Sequence, residues 1–173
     1  MKMKRTLSAV CCLSILLVPA FAKSAAPMSD QKFLDTAAQT DMVEAHLGNL
    51  AQDAASSQAV KDYGRMLVGD HTQDFQKLQS LAQQAGLTLP TAIDAEHNKS
   101  LIAPLHRLKG KAFDHAYIQD MVAGHTAALA LYKKEAQAAT NPAIRSYAQD
   151  TLATLQKHLD AAKAIQQGTT PSM

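Results

Sequence analysis

Apolar residues recur along most of this chain at steps of three and four, and no stretch alternates with period two. The first spacing lines one face of an α-helix and the second would line one face of a strand. The pattern therefore predicts an all-α protein with four long helices. The first runs from Asp30 to Ala54 and carries Phe33, Ala37, Thr40, Glu44, Leu47 and Ala51 on one face. Ser29 precedes it as an N-cap, and Asp30 is favourable in the first turn. Ala55-Ser56-Ser57 forms a short turn in which either serine can cap the next helix. The second helix spans Gln58 to Ala85, with Val60, Gly64, Leu67, His71, Asp74, Leu78, Leu81 and Ala85 as its seam. Gly86 is placed to end it as a C-cap, and Pro90 follows shortly after. The third runs from about Lys111 to Ala138 through Ile118, Val122, His125, Leu129, Tyr132 and Ala136. Asn141-Pro142 is an N-cap followed by proline at the first helical position. The fourth helix then reaches Gln166 through Ile144, Ala148, Thr151, Leu155, His158, Ala162 and Ile165.

The linkers group these helices. Short turns join the first to the second and the third to the fourth, so each pair is an antiparallel hairpin and the two make a four-helix bundle. Between the hairpins lies a connector of 24 residues, Gly86 to Lys109. Its Ala92–Leu108 stretch reads as helical, and Pro104 should kink or split it, giving a short extra helix. The connector is long enough to stay at one end or to cross back along the bundle, as in ferritin-like folds. At 1.5 Å per residue, His71 and His125 share a level roughly 21 Å from either end under both topologies. His158 joins that level in the up-down-up-down form. A crossover would set it roughly 6–9 Å away, level with Glu44.

The N-terminus reads differently. Lys2, Lys4 and Arg5 precede an apolar run from Leu7 to about Ala20, and Ala20-Phe21-Ala22 is an A-x-A site. This is the pattern of a secretory signal peptide, residues 1–22, cleaved after Ala22. A leader (23–29), the bundle domain (30–167) and a tail (168–173) follow. The protein is thus expected in the periplasm or secreted, with no membrane span after cleavage. Both cysteines, Cys11 and Cys12, fall within the signal, so the mature chain enters an oxidising compartment without a disulfide. The whole chain carries 17 basic and 15 acidic side chains, and losing the three basic residues of the signal leaves 14 against 15. The apparent basicity belongs to the signal, and no basic patch argues for nucleic acid.

Four ionisable residues interrupt the apolar seams, one per helix: Glu44, His71, His125 and His158. Burying such groups costs free energy unless they are paired or bound. They can form a hydrogen-bonded network with Asp74 and tyrosines that fixes helix register. They can also hold a divalent transition metal, since zinc, iron, copper and manganese accept N and O ligands. Asp70, beside His71, and Asp74 are candidates to orient the imidazoles from behind. Catalysis is the least supported role, because no nucleophile or glycine-rich loop accompanies the quartet. The di-iron pattern is not met: such bundles use two Glu-x-x-His motifs, and after Glu44 position 47 is leucine. His46, His97, His106 and His115 lie off the seams or in the connector and are expected mostly in solvent. Met42, Met66 and Met121 read as gap-filling core.

Several spaced pieces resemble a bacterial exported family, domain of unknown function 4142. They are Phe33-Leu34, Glu44, Val60-Lys61, Asp70-His71, Leu89-Pro90, Gly110, Phe113-Asp114, Tyr117, His125, Leu152, Leu155 and His158-Leu159. The resemblance spans about Asp30 to Ile165. It implies a ferritin-like four-helix bundle in the cell envelope, and it implies no established activity. Ala153 after Leu152, and Lys109 before Gly110, depart from the family pattern without touching the quartet. The sequence thus leaves three functional classes. The first is an exported helical-bundle protein without enzymatic activity, linked to envelope stress. The second is a metal-binding protein with a His/Glu core site. The third is a helical module that binds a protein partner or a second copy of itself.

Overall fold

Local signals fix the helix ends. In the computed structural model, which describes residues 28–169 and 171, α1 spans Asp30–Ala54 and α2 spans Gln58–Ala85. The expected signal peptide lies outside the described residues, as do most of the leader and part of the tail. The Lys32 N–H donates to the Ser29 hydroxyl at 3.2 Å, which is the cap the sequence offers. Gly86 ends α2 at φ 67°, a left-handed conformation that glycine adopts without a Cβ penalty. Serine does not cap α2. The Asp114 carboxylate instead accepts from the N–H groups of Ser56 and Ser57, both at 3.0 Å, and from the Ser56 hydroxyl.

The connector splits as Pro104 requires. A single turn, α3 (Ala95–His97), leads into a π-helical turn (Asn98–Ile102) and a second short helix, α4 (Ala103–His106). Proline offers no N–H and its ring clashes with the carbonyl four residues back. Widening the preceding turn relieves that clash: the Ala103 N–H reaches the Asn98 carbonyl, five residues back. The two helices of the second hairpin follow, α5 (Gly110–Ala138) and α6 (Pro142–Gln166), and the Ala143 N–H donates to the Asn141 cap at 2.8 Å.

The connector crosses the length of the bundle. Gln31, near the start of α1, donates to the Thr88 carbonyl at 2.7 Å and accepts from the Thr88 N–H. Gln39, two turns on, donates to the Ala92 carbonyl and accepts from the Asp94 N–H. His46, two turns further, meets His106. The strap therefore climbs α1 from the α2 C-terminus to the opposite end. Asp30 accepts from the N–H groups of Thr140 and Asn141, both at 2.8 Å, which sets the α5–α6 turn beside the start of α1. Each helix is then antiparallel to both neighbours, α1 packing on α2 and α5, and α6 on α5 and α2. This is the one-crossover topology of ferritin-like bundles. Among the described residues, no helix is long and apolar enough to cross a membrane.

Packing is closest within each hairpin. A Cβ built on Gly48 would stand 2.5 Å from the Gly64 carbonyl oxygen, and one on Gly64 would stand 2.7 Å from that of Gly48. The α1 and α2 backbones touch there, and only glycine fits on both sides. Two apolar clusters fill the bundle. One gathers Leu47, Tyr63, Leu67, Phe113 and Tyr117, and the other Phe33, Leu34, Leu78, Tyr132 and Ile144. Burying side chains of this size is worth roughly 1.5–3 kcal/mol each.

Candidate metal centre

A polar layer separates the two clusters. Its imidazoles come from three helices: His71 from α2, His125 from α5 and His158 from α6, all almost fully buried. The ring centroids of His71 and His125 lie 6.1 Å apart, His71 and His158 5.3 Å, and His125 and His158 5.2 Å. The crossover does not lift His158 out of this level, contrary to the spacing expected from the helix ends. The helix α6, at 25 residues, is shorter than its partner α5, at 29. Levels counted from its C-terminus are therefore misplaced. Counted from the α5–α6 turn and the start of α1, all four predicted residues lie roughly 20–24 Å in.

Each imidazole has one nitrogen tied outward. His71 Nδ1–H donates to Asp41 Oδ1 at 2.8 Å. His158 Nε2–H donates to Asp70 Oδ2 at 2.8 Å. His125 Nδ1–H donates to the Met121 carbonyl, one turn back on its own helix, at 2.9 Å. A neutral imidazole has one N–H, so these acceptors leave His71 Nε2, His125 Nε2 and His158 Nδ1 as bare lone pairs. One nitrogen from each of the three rings lies within 4.8 Å of the other two. His125 Nε2 and His158 Nδ1 are 3.3 Å apart, and His71 Nε2 is buried with no hydrogen-bond partner. Roughly 3.3 Å is also the edge of a tetrahedron with metal–nitrogen bonds of about 2.0–2.1 Å. Lone pairs at that distance repel unless a cation lies between them.

Titration behaviour follows from the same contacts. Burial pulls His125 down to about 4, helped by the neighbouring charge of His71. Burial also pulls His158 down to about 4, with His71 and His125 adding to it against the opposing Asp70 bond. Both rings stay neutral near pH 7. Burial pushes Asp41 up to about 7, although its bond to His71 works the other way. Burial would lower His71, but the bond to Asp41 and the charges of Asp41, Glu44 and Asp74 outweigh it and raise it. These two shifts describe one event, in which the pair takes a second proton as pH falls through neutrality. Whether that state is drawn as imidazolium or as protonated Asp41, Nε2 carries a hydrogen. The lone pair of His71 is bare only above that step.

Glu44 is buried in the same layer, but outside the group of converging nitrogens. One carboxylate oxygen has no partner, and burial raises its pKa. It lines a cavity of about 350 Å³ together with His71, His125, Gly124, His97 and Leu101. Gly124 leaves room for it: a Cβ there would lie 3.8 Å from Glu44 Oε1. Asp70 orients an imidazole, but the ring is that of His158 and not of the adjacent His71. Among the described residues Asp74 hydrogen-bonds to no histidine; it accepts from the Tyr147 hydroxyl and lies 3.8 Å from Lys77 Nζ. The residue the sequence reading passed over is Asp41. It stands four residues after Ala37 and three before Glu44, on the α1 seam, where Thr40 was chosen instead. His46, His106 and His115 are exposed and His97 half-buried. A further buried carboxylate, Glu135 in α5, has no hydrogen-bond partner among the described residues.

The family described as Domain of unknown function (DUF4142) matches residues 17–165, and the chain belongs to it. No curated protein matches the chain. Among solved structures, CopM in the Cu(I)-bound form is similar at a TM-score of 0.65 and 17% identity, covering 82% of this chain and 97% of that one. CopM in the Ag-bound form gives 0.62 and 15%, with the same coverage. A DUF305 protein from Streptomyces coelicolor gives 0.58 and 14%, covering 81% of this chain and 97% of that one. At these identities the likeness concerns the fold.

Proposed function

We propose that the protein is an exported metal-binding protein that holds one transition-metal ion, copper first, on His71 Nε2, His125 Nε2 and His158 Nδ1. The observation that carries this reading is the outward pinning of all three rings. The bonds to Asp41 and Asp70 also tie α1 to α2 and α2 to α6, but with each N–H engaged by Asp41, Asp70 or the Met121 carbonyl, no imidazole is left to donate to another across the centre. A carboxylate or carbonyl behind a ligating imidazole fixes its tautomer and raises its basicity. Imidazole donors suit copper, zinc, iron and nickel, and copper heads the divalent affinity order. Copper- and silver-bound forms of a protein with a similar fold agree with that choice. Asp41, Asp70 and Glu44 place three carboxyl groups around the site, and a bound cation would favour their ionised forms. The role is binding, and the location is the periplasm or the exterior, reached through the signal peptide cleaved after Ala22.

Tag-free mature protein titrated with copper tests this directly. One equivalent should bind tightly, and X-ray absorption should show a nitrogen shell with imidazole scattering. Binding that is absent, or that survives His125→Ala unchanged, would reject it. Stoichiometric zinc with no preference for copper would keep the site and change the metal.

A further inference from the structure

The two sides of the histidine layer differ. Asp41 and Asp70 stand on one side with Asp74 and Tyr132, around a void of only about 20 Å³. On the other side the 350 Å³ cavity opens between α1 and α5 under the connector. Its inner end holds Glu44, His71 and His125, and its outer end holds His97 and Leu101. The rest of the lining is mostly apolar, with Val43, Ala128 and Leu131, and its hydroxyls are those of Thr36, Thr40 and Tyr132. Glu44 is more than nine-tenths buried and keeps one unpartnered oxygen. His97 is half-buried, and its Nδ1–H donates to Asp94 Oδ1 at 2.8 Å. Its Nε2 is therefore the bare nitrogen, by the same device that sets the tautomer of His71. Leu101, 40% exposed, sits beside it on the π turn.

We propose that this cavity is the port through which the metal ion reaches the three-histidine site, with His97 as the capture ligand at its mouth and Glu44 as the anionic waypoint inside. The proposal rests on the metal-binding reading above. A bare cation does not cross apolar walls without replacing its lost hydration, so ligands must be stationed along the way. The cavity has one at each end. The acidic groove between α2 and α6, lined by Asp70, Asp74 and Asp150, is the rival path. It leads to the wrong edge of His158, the nitrogen that Asp70 already holds.

A port alters the barrier and not the end states, so it must change uptake and release by the same factor. The experiment is stopped-flow mixing of the full mature protein with Cu(II), read by quenching of tyrosine emission, with release measured by chelator chase. His97→Ala removes the capture ligand, and Leu101→Trp narrows the mouth. Each should slow both uptake and release by roughly tenfold and leave the equilibrium affinity within about twofold of wild type. Asp150→Asn, in the rival groove, should leave the rates unchanged. If neither mouth variant slows uptake while wild-type affinity is intact, the port is wrong and the site stands. Slowing by Asp150→Asn alone would move the port to the acidic groove and overturn the proposal. A wild-type chain that binds neither copper nor zinc would overturn the site and the port together.

Discussion

His125 Nε2 and His158 Nδ1 stand 3.3 Å apart at the centre of the bundle, and His46 Nε2 and His106 Nε2 stand 3.2 Å apart on its outside. The separations are nearly equal, but the surroundings are not. Both central rings have their other nitrogen held by an acceptor, so neither can donate across the gap. The outer rings are exposed, and among the described residues no protein acceptor holds their remaining nitrogens. One of them can donate to the other, and the pair is satisfied as a simple hydrogen bond between α1 and the strap. Proximity of imidazoles does not make a metal site. The partner behind each ring does, because it decides which nitrogen faces inward bare.

The comparison can be broken most severely at a ligand. His125→Ala should weaken copper binding by about 3 kcal/mol, more than a hundredfold, in competition titrations with a chromophoric chelator. His46→Ala and His106→Ala should leave it within about twofold. An equal loss from both sets would erase the distinction.

Acid provides the next largest effect, in protein stripped of metal. The folded pKa of His125 and of His158 is depressed to about 4 against an unfolded value near 6.5. The unfolded chain binds more protons in that window, so stability is full above about 6.5 and falls as pH drops towards 4. The ceiling is roughly 3 kcal/mol per histidine. The Asp41–His71 pair works in the opposite sense: both groups are raised, so their contribution is present in acid and fades as pH rises through about 7. Thermal melts from pH 4 to 8 should show a shallow acid loss in wild type. They should show less loss in His158→Gln and more in Asp41→Asn; His46, lowered by burial and by its neighbour His106, should add a loss of the same sign that His46→Gln removes.

Removing a pin while keeping the ligand is a finer test. Asp41→Asn keeps His71 in place but weakens its acceptor, and copper affinity should drop by roughly 10–100-fold. The drop should be larger at pH 8 than at pH 6, where a proton already competes at His71 Nε2. The smallest effect belongs to the outer pair. His106→Gln should change the melting free energy by no more than about 0.5 kcal/mol, as exposed substitutions do.

Legibility in the sequence tracked the range of the interactions. Helix ends were readable because Ser29, Gly86 and Asn141 act within one turn of their own position. The kink at Pro104 was readable for the same reason. The crossover was not, since Gln31 and Gln39 tie α1 to a strap more than 50 residues away and nothing in their local pattern says so. Glu44, His71, His125 and His158 stood out as polar residues on apolar seams, and all four are buried in one layer. Their division of labour was hidden. Asp41 lies one residue from the seam position Thr40, and only the packing of α2 against α1 brings it to His71. Asp70 looked like the neighbour of His71, but consecutive helical residues point about 100° apart, and α6 placed His158 on its free side.

The crossover has a consequence for the integrity of the chain. The α1–α2 hairpin supplies His71 with Asp41, Glu44 and Asp70, and the α5–α6 hairpin supplies His125 and His158. Only the strap joins them covalently, and it runs exposed through Thr91 and Ala92. A single cut there yields two hairpin fragments, each lacking part of the donor set and each holding what the other needs. If the three-histidine site binds copper as proposed, such halves should form a complementation pair whose reassembly copper promotes, a behaviour that an up-down-up-down bundle with a short third loop would not offer.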